Sequence, residues 1–315
     1  MAAVNTVLGP VDTADLGFTL SHEHIMVSAA GMSHTYPGFQ DRAGTIEDAV
    51  VALSQAYDEG LRTIIDLTTF DLGRDIQMLE EVSRRTGVNI ILTTGAHQTI
   101  PRVFWTVSPD EIAPLYVMEV QEGIEGTTIK AGVIKSASDR GGITDREEIN
   151  LRAVARAQKT SGARISTHTW SPDRVGEQQI AILEEEGVDL NLVYIGHSND
   201  DTDLGYLLGM LRKGVWVGLD RFPGGRVPGT PGWQQRTEVV KQLIDAGFGH
   251  RIMLGHDHSI PRSQPTQQLR DERQNYNPDG YLFITRRVLP YLSELGASDQ
   301  DINQIMVENP KNFFA

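Results

Sequence analysis

Phe18–His24 reads FTLSHEH, a short apolar strand that ends in His22-x-His24. In an extended strand residues i and i+2 point to the same face. Both imidazoles therefore converge on one point at the strand's C-terminal end. Two neutral imidazoles side by side begin a zinc-type site, although nine histidines in 315 residues also fall into such a pattern by chance. What separates the two readings is whether other ligands arrive at the same level.

Seven more β-branched runs follow: 63–69, 89–96, 130–138, 164–170, 191–199, 215–220 and 251–258, after 18–24 itself. Between them lie amphipathic stretches with apolar residues at i, i+3 and i+4: 46–60, 74–87, 109–126, 146–162, 175–187, 204–214 and 233–249. Glycine closes nearly every one, as a helix C-cap does. Strands alternating with helices imply parallel pairing with crossover helices. Eight such units predict a closed (β/α)8 barrel, the TIM barrel, as a single α/β domain over residues 1–315. A doubly wound sheet is the alternative, but its first strand is usually followed by a glycine-rich phosphate loop, and here HEH stands in that place. Three segments interrupt the rhythm as long loops: 29–44, 222–232 and 259–280. In a barrel all three lie at the C-terminal face, where loops shape a substrate site. Residues 281–295 and 299–314 read as the last barrel helix and a capping helix.

Composition narrows the partners. The net charge of −14 argues against nucleic acid and anionic membrane, both of which need clustered Lys and Arg. The absence of cysteine removes disulfides, thiolate ligands and a cysteine nucleophile. Neither a signal peptide nor an apolar run long enough to span a bilayer is legible, so a cytoplasmic enzyme is the expectation.

The other strand ends supply the missing ligands. Lys135 sits in the fourth strand, His168 ends the fifth, His197 the sixth and Asp257 the eighth, so the barrel brings all of them to one face. A metal centre needs such convergence of N and O ligands from separate rigid elements. Lys135, among Ala, Gly, Val and Ile, is costly to bury unpaired. It either pairs with a carboxylate or becomes a neutral amine able to react with carbon dioxide, giving a carbamate that can bridge two metals.

With these residues in view the sequence resembles the phosphotriesterase family of the amidohydrolase superfamily, from Gly17 to Phe314. The resemblance is carried by GFTLSHEH, TTFDLGRD, AGVIKSAS, STHTW, IGHSNDDTDLGYL, VGLDR, LGHDH and NPDGYLFITRRVLPYL. It implies two divalent cations: zinc, or else cobalt, manganese or iron. His22, His24 and Asp257 would hold the buried one, and His168 and His197 the exposed one. Lys135, N6-carboxylated, would bridge them together with a hydroxide. The implied activity is hydrolysis of a small-molecule ester, either a phosphotriester or a lactone, and the implied assembly is a homodimer. Asp257 is the implied proton acceptor, and Asp200 matches the carboxylate that relays the proton outward. The histidine expected next in that relay is replaced by Arg221, which cannot shuttle a proton. GLDR at this point looks more like the lactonase branch, whereas TFDLGRD and NPDGYLF look closer to the organophosphate hydrolases.

The resemblance leaves the pocket less defined. Where both branches place aromatics after the third strand, this chain has Ala96, His97 and Gln98. His97, Gln98, Arg221, Phe222 and His258 are the candidate substrate-binding residues, and Phe104, Trp105, Phe222 or Trp233 the candidates for an aromatic wall. Glu23 and His256 read as structural. Asp220 either orients a ligand imidazole or pairs with Arg221. A family member that binds ligand without catalysis is the alternative of another class.

Overall fold

The computed structural model describes residues 2–315. An N-terminal hairpin of β1 (Ala3–Thr6) and β2 (Gly9–Asp12) precedes the barrel. The eight barrel strands are β3 (Phe18–Glu23), β4 (Leu61–Asp66), β5 (Asn89–Gly95), β6 (Val133–Ala137), β7 (Arg164–His168), β8 (Val193–Ile195), β9 (Trp216–Leu219) and β10 (Ile252–Leu254). Each pairs in parallel with the next in chain order. The ring closes just beyond the strands, where Asp257 N–H donates to His22 O at 3.0 Å and His24 N–H donates to His258 O at 2.8 Å. The expected (β/α)8 barrel is the fold.

Helices cover the outside: α1 (Met32–Thr35), α2 (Arg42–Asp58), α3 (Ile76–Thr86), α4 (Pro109–Gln121), α5 (Asp145–Ser161), α6 (Val175–Glu185), α7 (Leu204–Arg212), α8 (Trp233–Asp245) and α9 (Gln267–Tyr276). The tail adds α10 (Leu289–Glu294), α11 (Asp299–Asn303) and α12 (Asn309–Phe314), the first and last each entered through a π-helical turn. Local chemistry sets the helix starts. Asp75 accepts the Met78 N–H, and Ser108/Glu111 and Thr144/Glu147 form capping boxes. Gly87 and Gly162 end α3 and α5 in the left-handed conformation.

Alternation along the strands divides the core in two. Ile64, Ile90 and Ile134 belong to the apolar layer between strands and helices. Ile65, Ile91 and Val133, one residue away in each strand, belong to a second cluster with Tyr194, Trp216, Met253 and the C-terminal Phe313 and Phe314, which fills the barrel's lower interior. Val133 therefore marks the inward face of β6, and Lys135, two residues on, shares it one layer higher. That placement buries the amine to 1 % exposure.

Two expectations need correction. The segment 259–280 is not all loop, because α9 occupies its middle. No apolar period announces α9 and none of its residues is buried; its Thr266 cap and its Gln267–Asp271 and Gln268–Glu272 side-chain pairs support it instead. The loop read over 29–44 likewise holds α1 and the first turn of α2.

Candidate metal centre

A register shift between Leu20 and Glu23 leaves His22 and His24 together at the top of β3. His24 Nε2 lies 3.2 Å from Asp257 Oδ1, and His22 Nε2 lies 3.8 Å from the same oxygen. One ligand atom from each of these three residues fits within 4.8 Å of the others. His197 Nε2 faces the other oxygen, Asp257 Oδ2, at 3.9 Å, and His168 Nδ1 at 2.9 Å. Lys135 Nζ completes the group 3.0 Å from His22 Nε2. The structure thus brings all six expected ligands to one place. His197 (φ 58°) and Asp257 (φ 53°) hold left-handed backbone conformations. For residues other than glycine this is strained geometry of the kind that collects at functional sites.

Asp220 also lies among possible ligand atoms, with His22 and His197, but its bonds give it another task. Its Oδ2 meets His22 Nδ1 at 2.9 Å, and its Oδ1 meets His197 Nδ1 at 2.9 Å. The same carboxylate accepts the His197 backbone N–H at 2.7 Å and the Tyr194 hydroxyl at 2.7 Å. Asp220 therefore accepts the Nδ1–H of both imidazoles, which leaves each Nε2 as a lone pair aimed inward. The alternative pairing of Asp220 with Arg221 is not made.

Charge follows from burial. Burial, with Lys135 nearby, pushes the His22 imidazole down to about 4. It also lowers His168 and His197. Burial pushes the Lys135 amine down to about 7. Burial alone would raise the Asp257 carboxyl, but His197, His24 and Arg221 reverse this and hold it well below the usual carboxylate range. Neutral imidazoles whose lone pairs converge beside an ionised carboxylate are the donor set that a divalent cation accepts. The residues fit.

Glycine makes room beside the lysine. Gly95 at the end of β5 has φ +92°, and a Cβ there would lie 2.0 Å from Lys135 O. Only glycine lets β5 lie against β6 at this level.

The surrounding candidates divide. His97 stands at the centre, its Nε2 3.3 Å from His168 Nδ1. Gln98 is exposed and donates to Asp139 Oδ2 at 2.7 Å. Arg221 donates from Nε to Asp257 Oδ2 at 3.2 Å and from Nη1 to Asp200 Oδ2 at 2.6 Å. Asp200 Oδ1 takes Arg236 Nη2 at 2.8 Å, so both oxygens of the expected relay carboxylate are held by guanidinium groups. Phe222 is corrected: it is fully buried in the strand–helix core, because its N–H pairs with Gly255 O and keeps the chain beside β10. His258 is corrected as well. Its ring packs edge-on against Tyr281 and lines a different cavity of about 300 Å³, beside Val51 and Ile260. The expected structural role of Glu23 and His256 holds. Glu23 accepts the His256 N–H and Nδ1 at 2.8 and 2.7 Å, while His256 Nε2 accepts the Ile284 N–H.

Three positioning residues escaped sequence reading. Thr68 Oγ1 meets His24 Nδ1 at 2.8 Å. Asp139 Oδ2 faces His168 Nε2 at 3.6 Å. Asp71 accepts the backbone N–H of His97 and Thr99. All three lie a few residues past a strand end, which is the signal that could have found them.

Fold and site together define a (β/α)8 barrel whose C-terminal face carries a candidate metal centre. The sequence model of the phosphotriesterase family matches residues 2–314, and the chain belongs to that family. It is 35 % identical over 325 residues to a phosphotriesterase homology protein of Mycobacterium tuberculosis, covering 100 % of this chain and 98 % of the other. It is also 35 % identical over 312 residues to an aryldialkylphosphatase of Saccharolobus solfataricus, covering 97 % of each. The solved structure of the phosphotriesterase from Mycobacterium tuberculosis superposes with a TM-score of 0.91 at 35 % identity, over 99 % of this chain and 98 % of that one.

Proposed function

We propose that the chain is a hydrolase with a binuclear metal centre that cleaves a phosphotriester or a lactone. The observation that supports it most is the convergence of His22 and His197 Nε2, each left as a lone pair because Nδ1–H donates to Asp220, beside the ionised Asp257. His22, His24 and Asp257 would hold the deeper cation, His168 and His197 the outer one, and N6-carboxylated Lys135 would bridge them. When bound, the cations (zinc, or cobalt, manganese or iron) supply hydroxide at neutral pH and polarise a P=O or C=O bond.

The chain's own groups do the rest. Asp257, with one oxygen toward His24 and the other toward Arg221, takes the proton released as the nucleophile attacks. Arg221 fixes that carboxylate, and Asp200 and Arg236 fix Arg221. Asp200 is in this reading a positioning residue. Asp220 and Asp139 aim the imidazoles. His97 borders the reacting group.

A second reading, chiefly a lactonase with only side activity on phosphotriesters, is favoured by the missing aromatic wall. Phe104 and Phe222 are buried, Trp105 lies under Arg146, and Trp233 packs on Phe283 and Tyr291. An aryl leaving group finds few faces to stack on. The deciding experiment is kcat/KM on a dialkyl aryl phosphate against γ- and δ-lactones, including acyl homoserine lactones, with metal content measured on the same sample. Less than one metal per chain in active protein overturns the binuclear reading. The homodimer and the cytoplasmic location remain part of this proposal; light scattering tests the first and cell fractionation the second.

A further inference from the structure

A cavity of about 140 Å³ opens beside Asp257, roughly the room of four or five waters at ~30 Å³ each. Four arginines line it: Arg221, Arg226, Arg236 and Arg273, together with Asp200 and Tyr276. In a chain of net charge −14 this is no general basic surface.

The charges are not balanced locally. Asp200 engages Arg221 and Arg236, and Asp257 engages Arg221. Among the described residues, no carboxylate lies within ion-pair distance of Arg226 or Arg273. Arg236 is 1 % exposed, yet its Nη1 has no hydrogen-bond partner, and neither has the buried Nε of Arg273. A guanidinium does not shed its proton, so these two donors stay desolvated and unpaired. Arg226, Arg273 and Tyr276 also line a second cavity of about 220 Å³, where Glu272 is the acidic group.

The loop after β9 is shaped to keep Arg236 there. Gly224 has φ +77°, and a Cβ on it would lie 1.9 Å from Arg236 Nε. Pro231 O accepts that Nε at 2.8 Å, and Gly224 N–H donates to the Tyr276 hydroxyl at 3.1 Å. A loop-holding role accounts for Nε and for the Nη2 bond to Asp200. It leaves Arg236 Nη1 and Arg273 Nε unpaired, although Arg273 Nη2 donates to Ser259 Oγ at 2.6 Å and Arg226 lies over the Tyr276 ring.

We propose that this cavity receives an oxyanionic group of the substrate, a carboxylate, sulfonate or phosphate that is not itself cleaved. The proposal rests on the hydrolase reading above and narrows its substrate class. Guanidinium groups bind such oxygens through paired, charge-assisted hydrogen bonds, whereas a neutral chain in the same cavity would leave them desolvated.

The test compares 5-oxotetrahydrofuran-2-carboxylate with its methyl ester on the metal-loaded enzyme, with a neutral dialkyl aryl phosphate alongside. The carboxylate is expected to be preferred by about 10-fold or more in kcat/KM, mostly through KM, since one charged hydrogen bond carries roughly this factor. Arg273→Met is expected to cut the preference about 10-fold and Arg273→Lys to restore part of it. Arg226→Met, at an exposed position, gives a second reading if Arg273 variants fold poorly. A binding arm does not depend on turnover: millimolar sodium sulfate raises the wild-type Tm above sodium chloride of equal ionic strength, and does so less in the variants. A sodium methanesulfonate titration separates a sulfonate preference from that for a doubly charged ion. Equal kcat/KM on the lactone pair, or sulfate stabilising wild type and variants alike, overturns the oxyanion proposal. Failure on all three substrates overturns the hydrolase reading instead, and the sulfate arm then still decides the cavity.

Discussion

Arg221 Nε lies 3.2 Å from Asp257 Oδ2, so a cation that cannot titrate holds the carboxylate of the candidate centre. The same side chain reaches Asp200 at 2.6 Å and spans two carboxylates with one planar group. Lysine offers a single point charge and cannot make both bonds in that plane. Arg221→Lys and Arg221→Met are both expected to lower kcat/KM by about 10- to 100-fold. Steady-state kinetics with metal content measured in parallel checks this; a variant with wild-type kcat/KM rules out the positioning role.

Asp220 is the single carboxylate acceptor for two candidate ligand imidazoles. An asparagine keeps its shape but offers one oxygen and one NH2, so one imidazole loses its acceptor. Asp220→Asn is expected to weaken metal retention about 10- to 100-fold. Metal content after dialysis against a graded chelator series reads this directly. Tyr194→Phe, which removes only the outer hydroxyl, is expected to have a smaller effect, about 1 kcal/mol.

Metal removal should stop turnover, and zinc, cobalt or manganese should restore it. Lys135→Ala is expected to keep its circular dichroism spectrum and lose one or both cations. Elemental analysis of the purified variant is the measurement, and a full complement of two would remove Lys135 from the ligand set.

Arg236 is as much a stability element as a site element. Arg236→Met strips Asp200 Oδ1 and Pro231 O of their donors inside a buried network. Breaking a buried pair costs about 3–5 kcal/mol; Arg221 still holds Asp200, so the lower end is expected, read from urea unfolding.

Acid sensitivity has a local source at α7. Arg174 and the N–H groups of Gly205 and Tyr206 hold the Asp203 carboxyl below its ordinary value. Its contribution is therefore fully present above the unfolded carboxyl value near pH 4. It is lost as pH falls through the lower, folded value. Asp203→Ala should lower Tm at pH 7 and differ less from wild type at pH 3.

The barrel and its six candidate ligands were legible because both rest on strand periodicity. FTLSHEH shows the i, i+2 pair, and the apolar runs around Lys135, His168 and His197 fix which residues stand at strand ends. What escaped depends on contacts distant in sequence. The hairpin at Ala3–Asp12 is too short to show a period, although Val7 N–H pairs with Ile90 O. Phe222 looked like a pocket wall because nothing in FPGG tells of its pairing with Gly255. His258 was expected to be able to reach substrate, but the left-handed turn at Asp257 ends the strand's alternation and sends the ring toward Tyr281. The cluster of arginines was invisible because its members come from β9's loop, α8 and α9.

The seam of the barrel also has a consequence. The two backbone bonds that complete the ring, Asp257 to His22 and His24 to His258, belong to the residues that gather the donor atoms. The cylinder is thus fastened at its candidate chemical centre, and the seam is held on either side of it by Ser21 Oγ donating to Leu254 O at 2.9 Å and Ile260 N–H donating to Ile25 O at 3.1 Å. Stripping the cations should loosen the fastening first, and deuterium should enter at the amides of His24 and Asp257 before it enters β5 or β6.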